Sequence, residues 1–421
     1  MAVAAWIYSG RHHSTHYPKS TAMHQPNLLD LFWEGFQLTS HRFLSEQQLL
    51  LVLEPNRLPR CNHCSTVVCR VHDTHHRRVR ERDLFDHRVW LEVPVRRVVC
   101  PRCGVRNEQI DWLDGRRHMT VALRCYVEVL VRILPIKHVA ELLGLHWHTV
   151  KQIDKQRLQR EVAEPDRSRL RYLLMDEFAL HKGHRYATVV SCAETQQVIW
   201  IGEGRSRAAI RPFFTWLGEA CARIEAVGMD MNTAFDLEVQ HHCPKAVVVY
   251  DLFHVVAKFG REVIDRVRVD QANQLREDRP ARQVIKRSRW LLLRNRQNLS
   301  EEQAVHLDEL LAINQPLTTV YLLKTQLKEL WYAPSEMVAR QRWAEWYRLA
   351  MQSGLKPLIT FARRLKLYIE GIIASARFRL HTSVLEGMNN RIKVIKRMAY
   401  GYRDSDYFFL KIKAAFPGKA R

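Results

Sequence analysis

The stretch RYLLMDEFALHKGHRYATVV, residues 171–190, constrains the fold more than any other segment. A run of strand-forming residues leads into two adjacent carboxylates, Asp176 and Glu177, and a compact turn then leads into a second strand-like run. Because successive side chains on a strand face opposite ways, the two carboxylates cannot both enter one site. A carboxylate at the end of a buried strand is costly unless it is paired or holds a metal. The segment therefore predicts a hairpin that presents one functional carboxylate.

The residues that follow alternate between strand and helix patterns. The predicted strands are 173–178, 185–193, 198–203, 224–229 and 246–250, and the predicted helices between them are 207–223 and 232–240. Three sequential strands followed by alternating helix and strand are typical of an RNase H-like mixed sheet.

Two further aspartates end strands of this predicted sheet. Asp230 follows the fourth strand and Asp251 the fifth. Since the first and fourth strands can lie side by side, we expect Asp230 to meet Asp176. Asp251 competes for that role; with His254, one helical turn later, it either braces the site or caps the next helix.

Two cysteine pairs precede this region. Cys61 and Cys64 form one CxxC knuckle, and Cys100 and Cys103 form another. Two thiolates on each of two knuckles can supply the four corners of a tetrahedral site, which predicts one structural zinc ion. Buried free thiols or a redox pair are the alternatives. CxxC pairs with metal also suit a reducing compartment, so we expect a cytoplasmic protein.

The charge of the chain indicates a polyanionic partner. The formal net charge is +22, and the lysine and arginine residues are distributed along the whole 421-residue chain. The segment between the cysteine knuckles is rich in arginine, including Arg77 and Arg78, and the arginine fork suits phosphate contact. A solvated charged face is the alternative for any one of these residues. No apolar run is long enough to span a membrane.

The segment IKHVAELLGLHWHTVKQIDK, which begins at Ile136, has the pattern of a helix-turn-helix. Ala140 is the small residue at the helix contact, and Gly144 takes the turn. An ordinary helical hairpin is the alternative. If the second helix enters a major groove, the residues that face DNA are His146, His148, Thr149, Lys151 and Gln152.

The C-terminal part is predicted to be helical and basic. Residues 261–377 are rich in Leu, Trp and Arg, and the segment EGMNNRIKVIKRMAYGYRD follows. On a helix, one face carries Glu386, Asn390, Lys393 and Arg397. Glu386 also has a local interpretation, because Ser383-x-x-Glu386 fits a capping box.

Four segments together resemble a DDE transposase of a bacterial insertion-sequence family, the ISL-three group, whose members carry an N-terminal zinc module. They are MDEFALHKGHRYATVV, GMDMNTAF, YDLFHVVAKFG and EGMNNRIKVIKRMAYGYRD. The resemblance extends from the first CxxC to Phe416. It implies a catalytic triad of Asp176, Asp230 and Glu386, and an all-helical insertion where residues 261–377 lie.

Two Mg²⁺ (or Mn²⁺) ions, about 3.5–4 Å apart, would activate the attacking oxygen and stabilise the leaving oxygen during cleavage and joining of DNA. In this scheme Asp176 bridges both ions, and Asp230 and Glu386 each hold one. Asp251, His254 and Asn390 would support the site.

The resemblance implies a transposase that binds terminal inverted repeats and target DNA, as a homodimer or higher oligomer close to the nucleoid. A non-catalytic zinc and helix-turn-helix regulator is the alternative from another class, and a structure-selective nuclease is a third. The expected parts are a mobile extension (1–26, with Met23 as an alternative start), a zinc module (27–118), a helix-turn-helix domain (119–160), a catalytic core (171–260), the insertion (261–377), and the C-terminal helix with its basic tail (378–421).

Overall fold

The structure is a computed structural model that describes residues 32–115, 117–181, 183, 185–380, 383–399 and 401–419. The predicted extension, 1–26, lies outside these residues, and so does the Ser383 side chain of the capping box. The chain divides into two compact units, Met1–Asp154 and Lys155–Arg421. None of the helices described is both long and apolar enough to cross a membrane.

The first unit contains a five-stranded sheet. Its strands are β1 (Phe36–Ser45), β2 (Gln48–Pro55), β3 (Val71–Arg80), β4 (Arg88–Cys100) and β5 (Gly104–Asn107). Their order is β1-β2-β4-β3, with β5 paired to β4, and only the β2–β4 pairing is parallel among these strands. Alternate residues of β4, including Val89, Leu91 and Val93, are buried on one face. The Arg-rich segment between the knuckles contains β3 and β4, which pair antiparallel.

Three helices follow the sheet: α1 (Val121–Leu130), α2 (Ile136–Leu143) and α3 (Trp147–Glu161). Gly144 ends α2 with φ 60° and ψ 35°, a left-handed conformation that favours glycine. Ala140 is buried at the helix contact, in one cluster with Val139, Leu143, Val150 and Ile153. The predicted helix-turn-helix is confirmed.

The second unit is built on a second five-stranded sheet. Its elements are β6 (Tyr172–His181), β7 (Arg185–Cys192), β8 (Val198–Glu203), α4 (Arg207–Leu217), β9 (Ala226–Met229), α5 (Thr233–His242) and β10 (Val247–Tyr250). The strand order is β10-β9-β6-β7-β8. β6 is antiparallel to β7 and parallel to β9, so the predicted first and fourth strands are neighbours in an RNase H-like sheet.

A helical region follows β10, as predicted. Its helices are α6 (Leu252–Phe259), α7 (Asp265–Gln274), α8 (Arg279–Arg287), α9 (Arg289–Leu293), α10 (Glu301–Ile313), α11 (Gln315–Glu329), α12 (Glu336–Gln352), α13 (Lys356–Leu365) and α14 (Ile369–Ile373). Trp346 is buried and donates to the Leu323 carbonyl at 2.8 Å. Trp343 stacks on it, so these aromatic residues belong to the helical core.

Two last helices return to the sheet: α15 (Ser383–Met398) and α16 (Ser405–Ala415). Met388 and Ile392 of α15 pack in one apolar cluster with Phe178 and Leu180 of β6. The apolar stripe of α15 thereby holds this helix against the strand that carries Asp176.

Candidate active site and nucleic-acid interface

Asp176 lies within β6 and is almost completely buried, with 7% of its surface exposed. Its Oδ1 accepts a hydrogen bond from the Glu177 amide at 2.8 Å, and its Oδ2 accepts one from Asn389 Nδ2 at 2.6 Å. Burial raises the pKa of Asp176 to about 6; the Glu177 amide and His254 oppose this rise, while Asp230 and Asp251 add to it. A buried carboxylate of this kind favours a nearby cation.

The strand register sets Asp230 level with Asp176. Leu174 of β6 pairs with Gly228 of β9, so two further residues on each strand lead to Asp176 and Asp230. Neighbouring strands lie about 4.8 Å apart, which keeps the two side chains at one edge of the sheet. Burial raises the pKa of Asp230 as well, and its Oδ1 is buried without a hydrogen-bond partner.

Asp251 stands at the same level on the next strand, since Tyr250 pairs with Met229. Its Oδ1 accepts from the Phe253 amide at 2.9 Å and caps α6, and its Oδ2 lies 2.9 Å from His254 Nδ1. This hydrogen bond raises the pKa of His254, and the charges of Asp176 and Asp230 contribute to the rise. The sequence offered two roles for Asp251, and the structure is consistent with both: it caps α6 and lies beside Asp230.

Glu177 faces away from Asp176, as the strand alternation predicts, and pairs with Arg205 at 2.8 Å. Arg205 in turn lies over the Tyr186 ring, 4.1 Å from its centroid. Glu177 and Arg205 act on Asp230 in opposite senses: the glutamate raises its pKa and the arginine lowers it. No local sequence pattern identifies Arg205 as a residue of this region.

Glu386 lies exposed in the first turn of α15, one turn before Asn389. Asn390, Lys393 and Arg397 are exposed on the predicted face, and Lys393 Nζ lies 3.5 Å from Asn390 Oδ1.

The amide that contacts the site is Asn389, not the predicted Asn390. Leu385, Met388 and Ile392 form the buried stripe of α15. Asn389 flanks this stripe, next to Met388 and four residues after Leu385, whereas Asn390 is rotated a further 100° away. Reading the buried stripe would have identified Asn389.

The donor set around Asp176 fits a divalent cation. Two buried oxygens beside Asp176 have no hydrogen-bond partner: Asp230 Oδ1 and Asn389 Oδ1. Carboxylate and amide oxygens are the ligands that Mg²⁺ takes in proteins. The ligand oxygens of Asp176, Asp230 and Glu386 do not all lie within 4.8 Å of one another. Among the residues described, the ligand atoms of the four cysteines in the first unit do lie that close together.

The four cysteines Cys61, Cys64, Cys100 and Cys103 form that compact cluster in the first unit. A tetrahedral zinc with Zn–S bonds of ~2.3 Å separates its sulfurs by about 3.8 Å, and the Cys64 and Cys100 sulfurs are 3.5 Å apart. The Thr66 hydroxyl and amide lower the pKa of Cys64 to about 6, which favours the thiolate that binds metal. Cys69 is exposed and stands outside the cluster.

The start of α3 presents an aromatic, polar surface. His146, Trp147 and His148 are exposed, whereas Thr149, Lys151 and Gln152 are half-buried. His146 Nδ1 also accepts from the His148 amide at 3.3 Å and so caps the helix. Trp147 was not among the DNA contacts predicted from the sequence, although its position in the first turn of the second helix indicates such a role.

The arginines of β3 differ in their surroundings. Arg78 is exposed, and Arg77 is half-buried, with its Nη2 3.4 Å from the Arg117 carbonyl. Arg80 is structural: only 3% exposed, it donates to the carbonyls of Val89 at 3.1 Å and Leu143 at 3.2 Å.

Comparisons with known proteins agree with this organisation. A family described as "Transposase", of the DDE type in the ISL3 group, matches residues 173–412. The "Helix-turn-helix domain of transposase family ISL3" matches residues 108–158, and the "zinc-finger of transposase IS204/IS1001/IS1096/IS1165" matches residues 57–106.

Two relatives are similar over most of their length. The transposase for insertion sequence element IS1001 of Bordetella parapertussis is 54% identical over 394 residues, which cover 92% of this chain and 97% of the relative. The transposase for insertion sequence element IS1557 of Mycobacterium tuberculosis is 28% identical over 340 residues, or 75% of this chain and 76% of the relative. The chain belongs to the ISL3 family of DDE transposases.

Proposed function

We propose that this transposase binds the terminal inverted repeats of its insertion sequence and then cleaves and joins DNA. Asp176, Asp230 and Glu386 would hold the two Mg²⁺ or Mn²⁺ ions that this reaction requires. The common level of Asp176 and Asp230 at one sheet edge supports this proposal above all. Their raised pKa values and the unpartnered oxygen of Asp230 add to it. Glu386 would complete the set from α15, one turn before the residue that contacts Asp176.

When bound, the ions would lower the pKa of the attacking water or 3′-hydroxyl and stabilise the leaving oxygen. The protein's own residues keep the donors in place. Asn389 and the Glu177 amide fix both oxygens of Asp176, and the Asp251–His254 pair adds an imidazole whose positive form offsets the clustered carboxylates. The positive charge of Arg205 likewise offsets these carboxylates, on the side of Asp230.

DNA recognition is assigned to the first unit. The exposed start of α3 suits a major groove, with His146, His148, Thr149, Lys151 and Gln152 as contacts and Trp147 beside them. Arg77 and Arg78 of β3, with Lys393 and Arg397 of α15, would contact phosphates. One zinc ion would bind Cys61, Cys64, Cys100 and Cys103. It would join the knuckle of the first two cysteines to the turn between β4 and β5.

The functional parts then follow the chain. We assign zinc binding to 27–118, DNA recognition to 119–160, and catalysis to 171–260 with 378–421, interrupted by the helical insertion 261–377. Two element ends must be held for joining, so we expect a homodimer or higher oligomer on DNA.

Cleavage of an element-end duplex with Mg²⁺, by the wild type and by Asp176→Ala, tests the proposal. The wild type should cut at the element end and join the end to a target, and the variant should bind without cutting. Binding without metal-dependent cutting would identify a regulator, and cutting without joining would identify a nuclease.

A further inference from the structure

One face of α8 in the helical insertion is strongly basic. The helix reads RPARQVIKR and contains four basic residues and no acidic ones. Arg279, Arg282, Gln283 and Lys286 stand at i, i+3, i+4 and i+7, which is one helix face. Ile285 is buried beside this face; Arg279, Gln283 and Lys286 are exposed, and Arg282 is half-buried.

This face continues into α9 and ends on an exposed tryptophan. Backbone hydrogen bonds from Ser288 to Val284 (3.1 Å) and from Leu292 to Ser288 (3.1 Å) carry the helical path across the junction. Trp290 therefore follows Lys286 by one turn on the same face, and 62% of it is exposed. We call Arg279, Arg282, Lys286 and Trp290 the basic stripe.

The cations of the basic stripe are not neutralised by the protein. Among the residues described, Arg279, Arg282 and Lys286 form no ion pair, and the buried Nε of Arg282 has no acceptor. Nearby arginines differ: Arg289 pairs with Asp265 at 2.9 Å, and Arg296 pairs with Asp308. The basic stripe therefore carries positive charge that no acidic residue of the described chain offsets.

The tryptophan is held in place as well as exposed. The Arg289 guanidinium lies over the Trp290 ring, 5.1 Å from its centroid, and its pairing with Asp265 anchors it to α7. A fixed aromatic ring in line with cations is the combination that proteins use to bind single-stranded nucleic acid, since cations contact phosphates and bases stack on the ring.

We propose that the basic stripe binds DNA where a single strand leaves a duplex. Arg279, Arg282 and Lys286 contact successive phosphates, and Trp290 stacks on an unpaired base. Arg279 and Trp290 are eleven residues apart, about 16 Å along the helix, or roughly five base-pair rises. The identity of the polymer as DNA rests on the proposed function; the stripe itself is a separate site.

Binding by the full chain in an Asp176→Ala background tests the proposal, because this readout does not depend on cleavage. The probes are a short labelled blunt duplex of random sequence and the same duplex with a single-stranded tail, measured by fluorescence anisotropy at several salt concentrations. Failure of cleavage by the wild type would leave this measurement valid, so the two proposals fail separately.

The phosphate contacts are tested by Arg279→Ala/Arg282→Ala/Lys286→Ala. Each lost contact lowers the slope of log affinity against log salt by about 0.9, so the slope on the tailed duplex should fall by roughly 2–3. Arg348→Ala/Arg363→Ala, at exposed arginines of α12 and α13, is the control and should change it little. An unchanged slope in the triple variant would overturn the phosphate contacts.

The stacking contact is tested by Trp290→Ala. Affinity for the tailed duplex should fall roughly tenfold or more, with little change for the blunt duplex. Trp290→Phe should retain most of the affinity, and Tyr332→Ala, which removes another exposed aromatic ring, should have no effect. Equal losses on both probes, or no loss on either, would overturn stacking on an unpaired base.

Discussion

Asn389 donates a hydrogen bond from its Nδ2 to Asp176 Oδ2 at 2.6 Å, across 213 residues of sequence. The Glu177 amide holds the other oxygen of Asp176 at 2.8 Å. Both carboxylate oxygens are therefore oriented by neutral donors, which leaves the negative charge available to a cation. The contact also connects α15, the helix that carries Glu386, to the strand that carries Asp176.

Asn389→Ala should reduce metal-dependent cleavage by roughly 10–100-fold, because groups that orient a metal ligand typically contribute that much. The variant should require more Mg²⁺ for half-maximal rate, while its binding to end DNA stays near wild type. Asn390→Ala is the matched control, since Asn390 is exposed one position later. Similar cleavage by the two variants would show that the Asn389 contact has no part in catalysis.

Asp176→Asn, Asp230→Asn and Glu386→Gln should each abolish cleavage and leave folding and end-DNA binding near wild type. Each change removes the charge that holds a hard cation. At Asp176 the new amide can be accommodated, because a rotated Asn389 side chain would present its unpartnered Oδ1. Circular dichroism and gel-shift binding check the fold.

Asp251→Asn should have a milder effect, because the amide retains the cap on α6 and loses only the charge beside His254. An active Asp230→Asn together with an inactive Asp251→Asn would exchange the roles of these two aspartates. An active Glu386→Gln would remove Glu386 from the site and leave it as a capping residue.

Purified protein should contain about one equivalent of zinc, held by the four clustered cysteines. Cys61→Ser/Cys64→Ser should lose the metal and the ordered fold of the knuckles, as measured by metal analysis and limited proteolysis. Cys69→Ser is the control and should keep the zinc, since Cys69 lies outside the cluster. A folded wild type without metal would contradict the prediction.

DNA affinity should fall roughly 10³–10⁵-fold between 50 and 200 mM salt if six to ten phosphates are contacted. Lys151→Ala and Gln152→Ala should weaken binding to element ends more than binding to random duplex. Gln159→Ala, two turns after Gln152 on the same face of α3, should have less effect, because base contacts concentrate near the start of a recognition helix. Equal losses on both DNAs would mean that α3 reads no bases.

Because of the buried Glu238, we expect the stability of the second unit to decrease as the pH falls into the acid range. Its oxygens pair with Arg207 at 2.6 Å and Arg211 at 3.1 Å, and hydrogen bonds from these arginines lower the pKa of Glu238 to about 2. Since the folded pKa is below the unfolded value of 4.5, the stabilisation is present above pH 4.5 and is lost as pH falls towards 2.

Glu238→Gln should therefore lower the free energy of unfolding by about 1.5–3 kcal/mol at pH 7 and flatten its decline below pH 4.5. Urea denaturation of wild type and variant between neutral and acid pH measures both effects. Glu345→Gln, at an exposed position of α12, is the control. A decline with acid that is equally steep in the Glu238 variant would rule out this residue as its cause.

Features set by neighbouring residues were accessible from the sequence. The strand runs around Asp176, the glycine at the helix-turn-helix corner and the spacing of the cysteine pairs are local patterns, since side-chain period and backbone conformation depend on nearby residues. These patterns predicted the succession of strands and helices along the chain. The RNase H-like interpretation of that succession allowed the first and fourth strands to be neighbours, which led to the expectation that Asp176 and Asp230 meet.

Contacts between distant segments were decided only by the tertiary structure. Asn389 reaches Asp176 because packing of Met388 and Ile392 on β6 sets the rotation of α15, and a one-residue step of 100° separates it from Asn390. Arg80 resembles its neighbours in sequence, yet folding buries it against the carbonyls of Val89 and Leu143. Which polar group meets a site, and which arginine remains available to DNA, depends on how separate elements pack, and no local period encodes that packing.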